Sequence, residues 1–324
     1  MQKSALITGG AGFIGLHLAR LLSEKCEVTI ADNLERGRFD GHLRVLLEKK
    51  NVSFVKMDIT KERDFSKLDS SDFVYHLAAI NGTRNFYEIP DKVLKVGATG
   101  TLNVLEWFVK SKSGKILFSS SSEAYAGTKE IMGKRFPIPT PENVPLSISS
   151  PENPRWSYGA TKILGEVAMH SFRKRHKIDF TIVRYHNIYG PRMGFDHVVP
   201  EFIMRALSHE NPFRIFGGDS MRSFCHVDDA VLATKLAMEN RKADNRTIHV
   251  GRDDGEIKIA KLAEKIIALS GYKPRLSVRP APEGSIMRRC PDISVLKGLG
   301  FRPKVGLDAG LGATFNWYKE NADY

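Results

Sequence analysis

A run of glycines directly after the first apolar strand limits what this chain can fold into more than any other feature. Residues 5–8 are typical of a β-strand, residues 13–25 of an amphipathic helix, and a Gly-rich loop joins them. Three glycines share a three-residue spacing in this loop: Gly9, Gly12 and Gly15. Such glycines permit a tight turn and let backbone N–H groups approach a diphosphate, which the positive helix end also favours. The strand–turn–helix context predicts a dinucleotide-binding βαβ unit.

The alternation of strands and helices continues along the first half of the chain. Strands are predicted over residues 28–31, 52–57, 73–77, 115–119 and 180–184, and helices over 39–49, 92–111 and 158–176. Strands separated by helices imply right-handed crossovers and a parallel sheet covered on both faces. Shorter, proline-punctuated elements follow, with helices predicted over 198–208, 229–240, 259–270 and 307–319. We therefore predict an α/β fold: a Rossmann-type doubly wound parallel sheet (1–184) and a smaller α/β C-terminal substrate lobe (185–324), intertwined with it without a flexible linker.

Bulk composition excludes several classes of protein. Hydrophobic residues make up 42% of the 324 residues and charged residues 27%, which is ordinary for a chain with a full core and excludes intrinsic disorder. No apolar run approaches the ~20 residues of a membrane span, and we expect no signal peptide. Three widely spaced cysteines, Cys26, Cys225 and Cys290, fit reduced thiols in the cytoplasm, and no metal-ligand spacing is present.

Asp32 indicates which dinucleotide the loop would hold. It follows the second predicted strand, 17 residues after Gly15. A carboxylate there can accept hydrogen bonds from both ribose hydroxyls and would repel a 2′-phosphate, which favours NAD over NADP. Arg36 and Arg38 follow closely and could soften this preference.

A Ser/Tyr/Lys set forms the candidate catalytic group. Tyr158 and Lys162 are four residues apart on one helical face. An ammonium ~5 Å from the phenol at an effective dielectric of 20 is worth ~3 kcal/mol, so we expect Lys162 to acidify Tyr158. Ser121 ends the strand after residues 116–120, at the carboxyl edge where sites of parallel sheets lie, and its hydroxyl could bind the same substrate oxygen. Tyr158 is thus a plausible acid/base.

The chain as a whole resembles the extended short-chain dehydrogenase/reductases that remodel nucleotide sugars. The resemblance rests on residues 8–15, Asp32-Asn33, Asp58-Ile59, 76–79, 119–125, 158–162, 184–191, Arg222-Ser223-Phe224, 227–229 and 292–317. It implies NAD as cofactor, a nucleoside-diphosphate sugar as substrate, and a homodimer formed through the helices that contain Lys92 and Tyr158. It also implies that Asp58 and Ile59 flank the adenine.

Two sets of site residues follow. The cofactor set is Gly9, Gly12, Phe13, Ile14, Gly15, Asp32, Asn33, Asp58, Ile59, Leu77, Ala78, Ala79, Tyr158 and Lys162. The substrate set is Ser121, Ser122, Glu123, Asn187, Val199, Arg222, Arg288 and Arg289. The arginines have a physical reason to be there, because guanidinium groups pair well with a diphosphate.

The reaction implied by the resemblance begins with oxidation at C4 of the sugar, with Ser121, Glu123, Tyr158 and Lys162 as catalytic residues. Glu123, two residues before Tyr125, is similar to the acid found in sugar 4,6-dehydratases and glucuronic acid decarboxylases, which favours a lyase. A 4-epimerase is the alternative, since the second step depends on the groups that line the pocket.

Some residues depart from the family pattern. Ser122 stands where many dehydratases carry Asp, and Gly97 stands where a helix asparagine is usual, which weakens the expected water-linked support of the lysine. The segment 81–87 has no assigned counterpart, and its Arg84 could bind a substrate anion or face solvent.

The charge balance adds a second class of hypothesis. Lys and Arg number 49 against 37 Asp and Glu, a net charge of +12, which favours anionic partners. The densest basic run, residues 173–177, is typical of a solvated helix end. A non-catalytic RNA-binding Rossmann protein is therefore a remote alternative. The Ser/Tyr/Lys set argues against this alternative, because a protein that only binds RNA has no need of an activated phenol. We expect no nucleic-acid or membrane partner.

Overall fold

The computed structural model describes residues 2–281 and 287–321. Its strands are β1 (Lys3–Thr8), β2 (Cys26–Asp32), β3 (Val52–Lys56), β4 (Phe73–His76), β5 (Lys115–Ser121), β6 (Asp179–Tyr185), β7 (Ile188–Tyr189), β8 (Phe213–Phe216), β9 (Met221–Arg222), β10 (Cys225–His226), β11 (Thr247–Val250), β12 (Ile257–Lys258), β13 (Leu276–Arg279) and β14 (Arg288–Arg289). Its α-helices are α1 (Phe13–Leu22), α2 (Gly41–Leu47), α3 (Thr83–Glu88), α4 (Pro90–Ser111), α5 (Ala126–Met132), α6 (Trp156–His176), α7 (Val198–Leu207), α8 (Val227–Glu239), α9 (Ile259–Ser270), α10 (Ser294–Gly298) and α11 (Leu307–Glu320).

Seven strands form one parallel sheet in the order β11-β6-β5-β4-β1-β2-β3. The strand order reverses between β1 and β4, which are hydrogen-bonded neighbours. In open α/β sheets, ligands bind outside the carboxyl ends of the strands at such a reversal. The fold therefore opens a crevice where the Gly-rich loop follows β1.

Helices cover both faces of this sheet. One face carries α1 and α8, whose apolar side chains, such as Leu16 and Ala230, pack into one core cluster with β1 and β2. The other face carries α4 and α6, which contribute Val104, Phe108 and Met169 to a second cluster. Since strands buried on both faces need apolar residues on both sides, the near-continuous apolar runs of β4 and β6 are explained.

The C-terminal part of the chain forms a lobe with its own core. Helices α7, α9 and α11 pack together around side chains such as Phe213, Ile266 and Phe315. Three small sheets accompany them: β10-β7, β12-β9-β14 and β13-β8. The chain also returns to the main sheet after residue 185, because β11 pairs with β6 and α8 lies against α1. Helix α8 and strand β11, which lie between α7 and α9 in sequence, thus hold the C-terminal lobe to the main sheet.

The predicted α/β class and parallel Rossmann-type sheet are confirmed. The predicted elements differ at their ends, and the seventh strand of the sheet, β11, and helix α3 were not predicted. Strand β5 runs two residues further, to Ser121, and α6 begins two residues earlier, at Trp156. Helix α2 is shorter than predicted and begins at Gly41, because the Asp40 carboxylate accepts a hydrogen bond from Leu43 N (3.0 Å) and caps it. Across the described ranges, no helix combines the length and the apolar character that crossing a membrane requires.

Candidate active site

The loop after β1 forms a backbone cradle that side chains would fill. Gly9 has φ +73°, and a Cβ there would lie 2.7 Å from Ala78 N. A Cβ at Gly15 would lie 2.3 Å from the carbonyl oxygen of Gly9, so the first turn of α1 packs directly on the loop. Because α1 begins at Phe13 with no side-chain cap, its first N–H groups remain available to an anion. This geometry fits the diphosphate of a dinucleotide.

Asp32 is held at the end of β2 with both carboxylate oxygens aimed at backbone donors. Oδ2 accepts from Ala11 N (3.1 Å) and Oδ1 from Leu34 N (2.8 Å). Burial raises the pKa of Asp32 above its ordinary value, and these two hydrogen bonds oppose that rise. Each oxygen keeps a further lone pair, so the buried carboxylate can also accept ribose hydroxyls. Arg36 also lines the cleft and donates to the carbonyl of Asn81.

One cleft of about 750 Å³ joins this cradle to the C-terminal lobe. All of the predicted cofactor residues line it: Gly9, Gly12, Phe13, Ile14, Gly15, Asp32, Asn33, Asp58, Ile59, Leu77, Ala78, Ala79, Tyr158 and Lys162. Five of the predicted substrate residues line it too: Ser121, Ser122, Glu123, Asn187 and Arg289. The structure therefore brings most of the predicted site into a single cavity.

Tyr158 and Lys162 lie together in the first turns of α6, both buried. Lys162 Nζ lies 5.3 Å from the centre of the Tyr158 ring and donates to the carbonyl oxygen of Ser119 (2.7 Å). The Ser121 hydroxyl hydrogen-bonds Tyr158. The three residues thus converge at the carboxyl end of β5, as predicted from their spacing.

The expected acidification of the phenol by Lys162 does not describe this buried arrangement. Burial raises the pKa of Tyr158 well above its ordinary value, although the hydrogen bond from Ser121 opposes this. Burial also lowers the pKa of Lys162 to about 7. Burial disfavours the charged form of each group, and this desolvation cost is the largest influence on both pKa values. The phenolate therefore depends on further positive charge in the cleft.

Gly97 on α4 lets that helix approach α6 closely. A Cβ at Gly97 would lie 2.6 Å from the side chain of Thr161, the residue before Lys162. The space that another side chain would take is thus filled by Thr161, and Lys162 takes its support directly from the backbone of β5.

A cluster of opposite charges lines the sugar end of the cleft. The Glu123 carboxylate accepts from Arg289 Nη2 (2.7 Å) and lies 3.7 Å from Arg155 Nη2. Arg289 Nη1 also approaches Ser122 Oγ (3.5 Å). Burial alone would raise the pKa of Glu123, but Arg289 and Arg155 outweigh it and hold the pKa below its ordinary value. Glu123 is therefore an ionised, paired carboxylate.

Strand pairing brings a third arginine to this cluster. Arg222 on β9 and Arg289 on β14 are register partners in one small sheet. Arg222 donates to the carbonyl of Met221 (2.8 Å), and burial, with repulsion from Arg289, lowers its pKa to about 9. Asn187 stands nearby with φ +44° and donates to the carbonyl of Ser223 (2.9 Å). The sugar end is therefore rich in positive charge around one carboxylate.

Three predicted substrate residues are not among the described residues that line the cleft: Arg222, which lies in the charge cluster next to Arg289, Val199 and Arg288. Val199 is buried in the core of the C-terminal lobe rather than among the described residues that line the cleft. Arg288 points to the other side of β14, where its guanidinium pairs with Glu256 (2.6 Å), because successive side chains of a strand alternate in direction. Of the two adjacent arginines, only Arg289 is a lining residue. Arg84 lines the cleft, and its largely exposed side chain pairs with Glu88 (2.7 Å).

Sequence reasoning missed two residues next to the site. Arg155 lies just before α6, and its position three residues before Tyr158 was a usable signal. Phe86 on α3 lies stacked on the ring of Tyr158, with ring centres 5.0 Å apart. No pattern along the chain pointed to it, since α3 lies far from α6 in sequence.

Comparisons with known proteins agree with this geometry. The model of the NAD dependent epimerase/dehydratase family matches residues 5–251. A UDP-N-acetyl-alpha-D-glucosaminuronate decarboxylase of Bacillus cytotoxicus is 34% identical, over 99% of both chains. Among solved structures, UDP-glucose 4-epimerase of Thermotoga maritima has a TM-score of 0.84 and 30% identity, over 98% of this chain and 99% of that one. A mutant UDP-glucuronic acid 4-epimerase of Bacillus cereus, with NAD and a fluorinated UDP-glucuronic acid, has a TM-score of 0.85 and 27% identity, over 98% and 99%.

Proposed function

The chain belongs to the NAD-dependent epimerase/dehydratase family, and from that premise we propose that it is a decarboxylase of a UDP-linked uronic acid. That it is an NAD-dependent enzyme that modifies nucleotide sugars follows from the family and the relatives. The proposal adds the second step of the reaction and the charged group on the sugar.

The ion pair between Glu123 and Arg289 is the observation that carries this proposal. It joins the end of β5 to the C-terminal lobe at 2.7 Å, beside the predicted acid/base Tyr158. Arg155 and Arg222 add positive charge around the same carboxylate. Any UDP-sugar brings a diphosphate, so the positive charge alone does not select a uronic acid. The place of Arg289 in the same cleft as Tyr158 does, because a sugar whose C4 hydroxyl meets Tyr158 carries its C5 carboxylate on the next ring carbon, where Arg289 can bind it through a forked pair of hydrogen bonds.

The residues of the cradle fit NAD. Gly9, Gly15 and the start of α1 would hold the diphosphate, and Asp32 would hold the adenosine ribose. When bound, NAD would supply the acceptor for the hydride of C4 and the donor for its return, and its positive ring would favour the phenolate. Tyr158 takes the proton of the C4 hydroxyl, while Ser121 donates to the same oxygen and Lys162 keeps the tyrosine in a positive surrounding.

With C4 as a ketone, the carboxylate on C5 becomes a β-keto acid. The C5–C6 bond breaks, its electron pair moves toward the C4 oxygen, and CO2 leaves. Tyr158 and Ser121 lie where they can donate to that oxygen as its charge develops. A proton then adds to C5 and the ketone is reduced again. Arg289 orients the carboxylate before the bond breaks, and the ionised Glu123 keeps Arg289 in place.

The same charges weigh against dehydration. A base at C5 needs a free carboxylate with an ordinary or raised pKa, whereas two arginines lower the pKa of Glu123. Dehydration also needs an acid for the leaving hydroxyl, and Ser122 is a poor one. Decarboxylation needs neither group.

A 4-epimerase acting on a uronic acid is the second candidate. The similarity to a UDP-glucuronic acid 4-epimerase favours it, because such a substrate also carries the carboxylate that Arg289 fits. In that case the ketone would rotate and be reduced from the other face, with the carboxylate retained.

Product analysis separates these reactions. Purified protein with NAD is given UDP-glucuronic acid, UDP-N-acetylglucosaminuronic acid and, as neutral controls, UDP-glucose and UDP-N-acetylglucosamine. We expect one uronate to yield a product lighter by the mass of CO2. An unchanged mass with an altered C4 configuration would support the epimerase, and loss of water would support a dehydratase.

We also propose that the protein is a cytoplasmic homodimer. Large apolar side chains are exposed on α4 and α6, namely Leu94, Leu102, Leu164 and Val167. A second copy could cover them with the same two helices. Three buried free thiols support a reducing compartment. Val167→Glu should convert a dimer to a monomer in light scattering, whereas Ile131→Glu, at an exposed residue outside these helices, should not.

A further inference from the structure

The ring of Phe86 lies flat against the ring of Tyr158. Their centres are 5.0 Å apart and their planes differ by 13°, which is a stacked rather than an edge-on contact. Both side chains are buried, at 5% and 7% exposure. Phe86 therefore covers a face of the predicted acid/base that water would otherwise reach.

The backbone brings Phe86 to this place by a sharp turn. Gly82 has φ +107°, and a Cβ there would lie 3.0 Å from Asp196 Oδ2, so the chain after β4 turns tightly before α3 begins. Phe86 is then the buried residue of α3, and it packs with Ile80 and Val93. The unassigned segment 81–87 thus delivers an aromatic ring to the active site.

Hydrogen bonding and charge do not fix the plane of the Tyr158 ring, and the described apolar residues clustered around it are aliphatic apart from Phe86. Ser121 fixes only the phenol oxygen. Lys162 lies 5.3 Å from the ring centre, and the charges of Glu123 and Arg36 act on the phenol from further away. A hydrogen bond to the phenol oxygen allows the ring to rotate about its long axis. A neighbouring ring that lies parallel to it, as Phe86 does, prevents that rotation.

We infer that Phe86 is a positioning residue, which fixes the plane of Tyr158 and keeps water from its face. The inference rests on the proposed acid/base role of Tyr158. With the ring plane fixed, the phenol oxygen points along one direction toward the sugar hydroxyl. With water excluded, the phenolate forms only when positive charge is present in the cleft, so proton removal is tied to a bound oxidised cofactor.

The test compares Phe86→Leu with Val93→Ala. Leucine keeps apolar volume but removes the flat face, and Val93 belongs to the same apolar cluster but has no ring that could stack on Tyr158. Melting temperatures show whether the two variants are similarly destabilised. The chain has nine tyrosines, so ring-labelled tyrosine gives a small NMR spectrum, in which Tyr158 is assigned by its loss in Tyr158→Phe.

The contact predicts a distinctive combination of results. In Phe86→Leu the Tyr158 ring signal should shift, because the neighbouring ring current is lost. The single-turnover rate of cofactor reduction at 340 nm should fall about tenfold, since small misplacements of a reacting group are costly, while KM for the sugar stays unchanged. Admitted water should move the pH limb that reports Tyr158 to lower pH, because burial is what raises its pKa. Val93→Ala should show none of these changes.

Two outcomes would overturn the inference. One is a Phe86→Leu variant with the wild-type rate and pH limb. The other is equal losses in both variants, which would mark Phe86 as a core residue only. Retained turnover in Tyr158→Phe is a separate failure, because it would reject the acid/base role itself while the NMR shift still reported the stack.

Discussion

The two ends of the cleft are built in different ways. At the dinucleotide end, the backbone of one short loop does most of the binding, since Gly9, Gly15 and the start of α1 lie within a few residues of each other. At the sugar end, side chains from distant parts of the chain meet, as Glu123 and Arg289 do across 166 residues. The cradle is formed by residues that are close in sequence, and its binding depends on the shape of the backbone. The sugar end is formed by residues that are distant in sequence, and its binding depends on charge. Substitutions at the two ends should therefore impair different properties of the enzyme.

Tyr158→Phe should have the largest effect, because it removes the proton acceptor between the two ends. We expect turnover to fall at least about 10²-fold, in line with the usual contribution of a general acid–base. Calorimetry should find NAD binding nearly unchanged, since the cradle does not use the phenol oxygen. A variant that kept wild-type turnover would show that another group moves the proton.

Arg289→Gln should impair the reaction of the sugar without affecting NAD binding. Decarboxylation should fall about 10²-fold, because a buried charge pair loses one partner. The pKa of Glu123 should rise, since Arg289 is the strongest influence that lowers it. NAD affinity and the melting temperature with NAD report on the dinucleotide cradle, so both should change little.

Arg288→Gln is the matched control for this substitution. It removes the neighbouring guanidinium, which pairs with Glu256 outside the cleft. Similar losses in both variants would mean that Arg289 acts through general charge rather than through its contact with Glu123.

Gly15→Ala should weaken NAD binding without affecting the groups that bind the sugar. The added Cβ would lie 2.3 Å from the carbonyl of Gly9, so the loop must shift, at a cost of about 1–3 kcal/mol. We expect about tenfold weaker NAD binding, with turnover restored when NAD is saturating. Gly41→Ala is the control, because a Cβ at Gly41 meets nothing within 4 Å.

Lys162→Met should change how the free energy of unfolding depends on pH. Burial lowers the pKa of Lys162 from 10.5 to about 7 in the folded protein. Between those values the unfolded chain binds more protons, so the wild-type free energy of unfolding gains about 1 kcal/mol per pH unit as pH rises. Below pH 7 this gain is absent. Urea titrations from pH 7 to 8 should show a steeper slope in wild type than in Lys162→Met, because the pKa of Lys129, lowered to about 8, adds a slope to both proteins above that pH.

The same contrast explains what could be read from the sequence. The parallel sheet and the cradle follow from local patterns: apolar strands, a three-residue glycine spacing and Asp32 after β2. Every predicted cofactor residue lines the cleft for that reason. The residues of the sugar end were harder to predict, because the choice between Arg288 and Arg289 depends on which face of β14 is turned toward the cleft.

Burial was the other property that local patterns could not supply. Spacing predicted that Tyr158 and Lys162 meet, but the direction of the Tyr158 pKa depends on how much water reaches the pair. Phe86 was missed for the same reason, since its stack on Tyr158 exists only once α3 and α6 have packed.

Carbon-13 placed at C6 of the uronic acid tests the central claim most directly. Wild-type protein with NAD and the labelled UDP-uronate would be followed by NMR, with Arg289→Gln in parallel. The charge cluster predicts that the label leaves the sugar as CO2 and bicarbonate in the wild type and stays on it in Arg289→Gln. A label that remains on a converted sugar in the wild type would contradict the account.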